Sequence, residues 1–385
     1  MSLESRWKGE RDRLLSAGRY RQLGPPAGVD FCSNDYLGYA RRRWPQVEGS
    51  RSGAASRLLR GHHTIWDEVE AALARWHVAE TALIFTSGYM ANEGLLGTVI
   101  DPGDWVASDQ HNHASIIDGV RLSRAERFVY RHNDLNHLEH GLRQSSQTNA
   151  AGSERFIVTE SLFGMEGDRA PLKGLVELAA RYGAHLIVDE AHATGCFART
   201  GGGLVDEVGL RPGVLATVHT GGKALGVPGA YVAGPRYLKE MLVNRCRHLI
   251  FTTALPPVVG EWWLQTLEHV VLDHKARLSL HAAAKTFREA LSQQGIACGG
   301  GDYIMPLMLG EDLRAVEAAR HLQEAGFDIR AIRPPTVPEG TARLRVSVHA
   351  DHDQETLARA AEWIAKVLHE TTTAEQRSAR SIFTA

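Results

Sequence analysis

The run HTGGKALGVPGAYVAG, His219 to Gly234, decides how the chain is read. It follows directly on an apolar segment, Val214 to Val218, that reads as a buried strand, and takes in a second apolar stretch, Gly229 to Ala233. Between the two, Lys223 follows directly on Gly221 and Gly222. A lysine seldom sits in so dry a setting, because burying an ammonium is costly unless it is paired or has lost its proton. Desolvation lowers its pKa and makes the amine a nucleophile able to form a Schiff base with a carbonyl. A lysine that merely snorkels from a strand end to water is the common alternative. A second site upstream decides against it.

That site is IVDEAHATG, Ile187 to Gly195. Leu186, Ile187 and Val188 end a short buried strand, and Asp189 falls where the strand emerges. Ligands of open α/β sheets bind outside the carboxyl ends of strands, so Asp189 has a functional address, and His192 is close enough to share it. A buried carboxylate facing a pyridine nitrogen holds that ring protonated and turns it into an electron sink. Lysine Schiff base plus aspartate on a pyridinium is the pattern of pyridoxal phosphate. Alone, Asp189 reads as a helix cap or a structural ion pair. With Lys223 downstream, the cofactor reading leads.

Working outward, short β-like runs occur at Thr81–Thr86, Trp105–Ser108, Arg127–Tyr130, Phe156–Thr159, His185–Asp189 and Leu215–Thr220. Helical patterns separate most of them, such as Leu172 to Tyr182, and Ile65 to His77 is an amphipathic helix with Thr64 as its cap. This alternation predicts an α/β fold, a mostly parallel sheet covered on both faces. A long helical stretch from about Pro257 to Gln293 leads to a smaller α+β unit. That unit has strands at Ile304–Leu309, Asp328–Ile332 and Arg343–Val348, and helices at Leu313–Ala325 and Gln354–Leu368. Thr371 to Ala385 loses its periodicity and reads as a frayed end.

Composition narrows the classes. A chain of 385 residues, 43% of them hydrophobic, is long enough for a large domain and a smaller one. A net charge of −2 gives no electrostatic support for a nucleic-acid partner. No run reaches bilayer length, and MSLESRWKGERDRLL is too charged for a signal peptide, so no membrane partner is expected. The four cysteines, Cys32, Cys196, Cys246 and Cys298, are far apart with no CxxC pair, which points to a reducing, cytoplasmic setting.

Further pieces gather around the two sites. SGYMAN, Ser87 to Asn92, follows a strand and opens a helix whose N-terminus favours a phosphate; a plain strand-to-helix turn is the alternative. Thr220 can add its hydroxyl to the same phosphate, or be an ordinary strand threonine. SDQHNHAS carries His111 and His113, whose spacing does not suit a metal, whereas one flat imidazole can stack on a pyridine ring. The cluster Gly201 to Gly203 lacks the context of a dinucleotide fingerprint, which rejects a dehydrogenase. In TARLRVSV, Arg343 and Arg345 share one strand face and can grip a carboxylate bidentately, or simply face solvent.

Together these residues resemble the α-oxoamine synthases, a family within fold type I of the pyridoxal phosphate enzymes. The resemblance runs from about Phe31 to Leu368 and rests on SNDYLG, GAASRLLRG, DQHNHASIIDG, TESLFGMEGD, VDEAHATG and TGGKALG in family order. It implies a mostly parallel seven-stranded sheet in a large domain over 36–268, an N-terminal arm over 1–35, and a small domain over 269–385. It also implies pyridoxal 5'-phosphate as cofactor, with Lys223 as Schiff-base lysine and proton carrier. Asp189 would partner the pyridine nitrogen, His192 the phenolic oxygen, and His113 would stack on the ring. Gly88 and Tyr89, through their backbone, and Thr220 would hold the phosphate. Thr253 would reach the phosphate of the neighbouring subunit, so the resemblance implies a homodimer with shared active sites. Asn34 would lie near the cofactor, Arg345 ahead of Arg343 would bind the amino acid carboxylate, and Arg19 or Arg21 would meet the acyl donor. No metal is implied.

Within the family, IRPPTVPEGTARLRVSV, Ile332 to Val348, looks most like the member of biotin synthesis. That likeness implies condensation of L-alanine with a pimeloyl thioester carried by coenzyme A or an acyl carrier protein. The nearest alternatives are glycine-using sisters, 2-amino-3-oxobutyrate CoA ligase and 5-aminolevulinate synthase. A catalytically silent subunit is disfavoured by the retention of Lys223, Asp189 and His192; a metal protein using His111, His113 and His192 is a remote third. Two positions depart from the family pattern. Gly164 stands where relatives commonly have a serine, and TGGG replaces a turn that often carries an arginine.

Overall fold

The computed structural model describes residues 1–148 and 152–382. Its residues fall into two compact units. One comprises Leu37–Gly164 and Arg169–Arg277, the other Met1–Tyr36, Met165–Asp168 and Leu278–Ala385.

The first unit is built on seven strands: β1 (Thr81–Phe85), β2 (Trp105–Asp109), β3 (Glu126–Tyr130), β4 (Arg155–Glu160), β5 (His185–Asp189), β6 (Ala216–Thr220) and β7 (Ala230–Gly234). Their order is β1-β7-β6-β5-β4-β2-β3. All neighbours are parallel except at β7, which runs antiparallel to both β1 and β6. One face packs Val106, Phe156, Val158, Ile187, Val218 and Val232 against Leu95, Leu96, Ile116 and Val120 from the helices Gly88–Val99 and Ala114–Ser123. The alternate residues Ile157, Leu186 and Val188 are buried as well. Burial on both faces is why these strands read as continuous apolar runs rather than as an alternating pattern.

The helix expected over Ile65–His77 spans Thr64–Trp76, and its cap is His63, whose Nδ1 accepts the Ile65 N–H at 3.4 Å; Thr64 is the first helical residue. The stretch from Pro257 to Gln293 is two helices, Pro257–Leu272 and His274–Gln293. Asp273 breaks it and turns its carboxylate to the Ala276 N–H at 3.0 Å. In the other unit, β8 (Ile304–Gly310), β9 (Arg330–Ile332) and β10 (Ala342–Ser347) form an antiparallel sheet in the order β9-β10-β8. Asp328, expected to start β9, pairs elsewhere: Phe327–Asp328 lies parallel to Val29–Asp30. The last helix runs Gln354–Ile382, so the end expected to fray is helical as far as Ile382; residues 383–385 lie outside the described residues. An unanticipated helix, Leu3–Ser16, buries none of its residues. Among the described residues no helix is long and apolar enough to cross a membrane.

Glu190 supplies a test of the core. Burial raises its carboxyl to about 8, and its Oε2 accepts the Val205 N–H at 3.2 Å. The folded chain keeps this proton between the unfolded carboxyl value and about pH 8, so its contribution is present at low pH and lost as pH rises. Glu190→Gln is expected to melt a few degrees closer to its pH 5 value at pH 8 than the wild type does, by calorimetry. Equal pH dependence in both proteins would contradict a buried neutral Glu190.

Candidate active site

The carboxyl ends of β4, β5 and β6 lie at one edge of the parallel sheet and carry Glu160, Asp189 and Thr220. The loop from β6 to β7 is pinned by Gly221 N–H to the Gly229 carbonyl at 2.8 Å and by Val227 N–H to the Gly221 carbonyl at 2.9 Å. Lys223 rides on this closed loop, half-buried, with Nζ 2.8 Å from His192 Nε2. A cavity of about 180 Å³ collects Lys223, Asp189, His192, His113, Thr220, Gly88 and Tyr89, which sequence reasoning had spread over 136 positions, 88 to 223. A larger cavity of about 990 Å³, lined by Trp76, His77 and Arg211 among others, holds none of them.

Each wall has a local cause. Ser87 caps the helix Gly88–Val99 by accepting the Met90 N–H at 3.3 Å, which leaves the first amides outside the helical ladder at the cavity. Asp189 is 6% exposed, with Oδ1 accepting the Ala191 N–H at 2.8 Å and Oδ2 the Asn92 amide at 2.7 Å. His113 caps the helix Ala114–Ser123, and its backbone N–H donates to Glu160 Oε1 at 2.7 Å. Thr220 donates its hydroxyl to the Gly229 carbonyl at 3.4 Å. Tyr89 bonds Asp118, which with that carboxylate's charge pushes its phenol to about 12.

Burial, then the charge of Asp189, raises Glu160 to about 8, so this carboxyl holds a proton. Burial also lowers His113, an effect that Asp189 opposes and Lys223 reinforces, so the imidazole is neutral. Glu160 was not among the expected residues, although it ends β4 as Asp189 ends β5, and that parallel is the signal that could have found it. Asn92 and Ser115 were also missed; both lie inside quoted motifs and line the cavity.

Gly164 has a packing reason. A Cβ there would sit 2.3 Å from His192 Nε2 and 2.9 Å from its Cε1, so the imidazole occupies the place of a side chain at 164. His111 stacks on His132 at 4.2 Å and does not line the cavity, which separates it from His113 and His192 and removes the histidine trio as a metal site. Among the described residues, His349, Asp351 and His352 do group closely. His352, however, gives Nδ1 to the His349 N–H at 3.2 Å and Nε2 to the Asp30 carbonyl at 2.9 Å.

Thr253 does not reach the Lys223 cavity and lines a separate small one with Arg57 and Trp66. The remaining expected residues belong to the second unit. Arg345 donates to Asn34 Oδ1 at 2.9 Å, to the Tyr36 hydroxyl at 3.2 Å and to Ser347 Oγ at 2.9 Å. Arg343 is committed to Glu166 at 3.1 Å and to the carbonyls of Met165 and Thr341. Both guanidinium groups are buried, which excludes the solvent-facing alternative. Arg21 donates to the Pro334 carbonyl at 3.1 Å, and Arg19 pairs with Asp312 and Glu339.

A buried carboxylate, an amine, a flat imidazole and the N-terminus of a twelve-residue helix thus surround one cavity. These are the groups that a phosphorylated pyridine aldehyde requires, for its ring nitrogen, aldehyde, ring face and phosphate in turn. The donor set fits pyridoxal phosphate.

Comparison with known proteins agrees. Residues 26–364 match the family described as aminotransferase class I and II. The 8-amino-7-oxononanoate synthase of Chlorobaculum parvum is 42% identical over 379 residues, covering 91% of this chain and 95% of that protein. Among solved structures, a serine palmitoyltransferase of S. paucimobilis with bound PLP is similar, with a TM-score of 0.86 at 27% identity, covering 97% of this chain and 100% of that one. The 8-amino-7-oxononanoate synthase of Francisella tularensis matches with a TM-score of 0.73 at 26% identity, over 89% of this chain and 98% of that one.

Proposed function

Because the chain belongs to the aminotransferase class I and II family, and within it to the pyridoxal phosphate-dependent α-oxoamine synthases of fold type I, we propose that it condenses L-alanine with a pimeloyl thioester. The product is 8-amino-7-oxononanoate, for biotin synthesis, with release of carbon dioxide and the carrier thiol. The observation that carries the proposal is the meeting of Lys223, Asp189, His113 and His192 in one cavity, in a chain whose relatives bear that synthase's name.

Gly88, Tyr89 and Thr220 would hold the cofactor phosphate, Asp189 the ring nitrogen, His113 the ring face and His192 the phenolic oxygen. Pyridoxal phosphate supplies an electron sink for the amino acid Cα. Lys223 takes the Cα proton with its amine, which His192 orients from 2.8 Å. A carbon–carbon bond then forms to the thioester carbonyl as its carbon–sulfur bond breaks. The alanine carboxylate leaves as carbon dioxide, and Lys223 returns a proton to the same carbon. Arg345 would bind that carboxylate, oriented by Asn34 and Tyr36. Arg343, bonded to Glu166, would brace the neighbouring segment, and Arg21 would meet the acyl donor.

Alanine with pimeloyl-CoA is expected to show a higher kcat/KM than glycine with acetyl-CoA or succinyl-CoA, followed by thiol release. Glycine turnover should survive at a reduced level, since one methyl group discriminates by only about 1–3 kcal/mol. A higher value for either glycine pair would overturn the substrate assignment and leave the family intact. We place Thr253 at the partner subunit's phosphate in a homodimer. Mixing Lys223→Ala chains with Thr253→Trp chains should then restore activity that neither has alone; no restoration in proven heterodimers would contradict shared sites.

A further inference from the structure

We propose that Asn92 and Ser115 are positioning residues that join Asp189 to His113 and fix which nitrogen of His113 carries its proton. Resting on the reading above that His113 and Asp189 face one cofactor, this inference assigns work to two side chains that reading leaves idle.

The geometry leaves little freedom. Asn92 is 3% exposed and Ser115 is fully buried. The Asn92 side-chain nitrogen is 2.7 Å from Asp189 Oδ2 and 3.0 Å from Ser115 Oγ. A carboxylate oxygen needs a donor, so the NH₂ end of Asn92 faces Asp189, and its second hydrogen is directed to Ser115. Ser115 Oγ, already accepting, turns its own hydrogen to His113 Nδ1 at 2.7 Å. An independent contact fixes the sense of that bond: the Ser115 backbone N–H, which can only donate, also points at His113 Nδ1, at 3.3 Å. Nδ1 is therefore the acceptor, and the neutral imidazole carries its proton on Nε2.

The relay reads from Asp189 through Asn92 and Ser115 to His113, with every donor in it matched to an acceptor. It ties the group on the cofactor's nitrogen to the group on its face. Asn92 opens the second turn of the helix Gly88–Val99, and Ser115 lies in the first turn of Ala114–Ser123. The same two side chains thus pin the phosphate-facing helix to the helix that His113 caps.

Two readouts test the relay. Histidine-selective ¹⁵N labelling reports the His113 tautomer, its signal identified by loss in His113→Gln. Equilibrium dialysis reports pyridoxal phosphate affinity. The wild type is expected to show an Nε2-protonated His113. Ser115→Ala keeps the backbone N–H at Nδ1 and loses only the hydroxyl, so it should raise the share of the other tautomer and weaken cofactor binding about tenfold, about 1.4 kcal/mol. Ser115→Thr, which keeps the hydroxyl, should retain both properties, and Asn92→Ala should weaken binding at least as much as Ser115→Ala. An Nδ1-protonated wild type, or a Ser115→Ala protein unchanged in tautomer and affinity, would overturn the relay. Wild-type protein that binds no pyridoxal phosphate would count against the proposed function instead, and the tautomer would still decide the relay.

Discussion

Lys223→Ala is expected to lose turnover about ten-thousandfold, about 5 kcal/mol in barrier, while still folding and taking up pyridoxal phosphate. In the proposed reaction two tasks fall on this one amine, which would remove the Cα proton and later return one. Burial keeps the Glu160 carboxyl of the same cavity protonated up to about pH 8, so it does not substitute as the base. Retention of the fold is expected because the loop around Lys223 is held by backbone bonds at Gly221, Val227 and Gly229, which do not involve the lysine side chain. Stopped-flow deuterium exchange at the alanine Cα, alongside steady-state thiol release, measures the loss. A variant within a hundredfold of wild type would remove Lys223 from proton transfer.

Asp189→Asn should retain its melting temperature within a few degrees and lose turnover by about a thousandfold, about 4 kcal/mol. An amide of the same shape keeps one acceptor for the Ala191 N–H or the Asn92 amide, but it cannot balance the charge of a protonated pyridine. The electron sink weakens while the site's shape persists. More than a tenth of wild-type kcat in a correctly folded Asp189→Asn protein would contradict the role given to Asp189.

The parts legible in the sequence were those for which local chemistry has few alternatives. Strands buried on both faces leave uninterrupted apolar runs, so β4, β5 and β6 could be placed within a residue or two. The helix Leu172–Tyr182 showed its full period. Lys223 and Asp189 stood out because a charge at the end of a buried strand demands an explanation. What could not be read depended on partners distant in sequence. A histidine cap at position 63 falls outside the usual capping residues, and the pairing of Phe327–Asp328 with Val29–Asp30 is set nearly three hundred residues away. Gly164 stood out in the sequence only as a departure from the family pattern, because the His192 ring that occupies the place of its Cβ comes from twenty-eight residues further on. Asn92 and Ser115 looked like ordinary helix residues because their partners, Asp189 and His113, meet only in the folded sheet.

Reduction of the purified protein with borohydride, followed by peptide mapping, tests most directly that Lys223 carries the cofactor. The label should appear on Lys223 alone. Lys239 is the informative control, being paired with Glu70 at 2.7 Å, and Lys173 lies outside the Lys223 cavity. A pyridoxyl group found on Lys239 or Lys173, or on no lysine, would contradict the assignment.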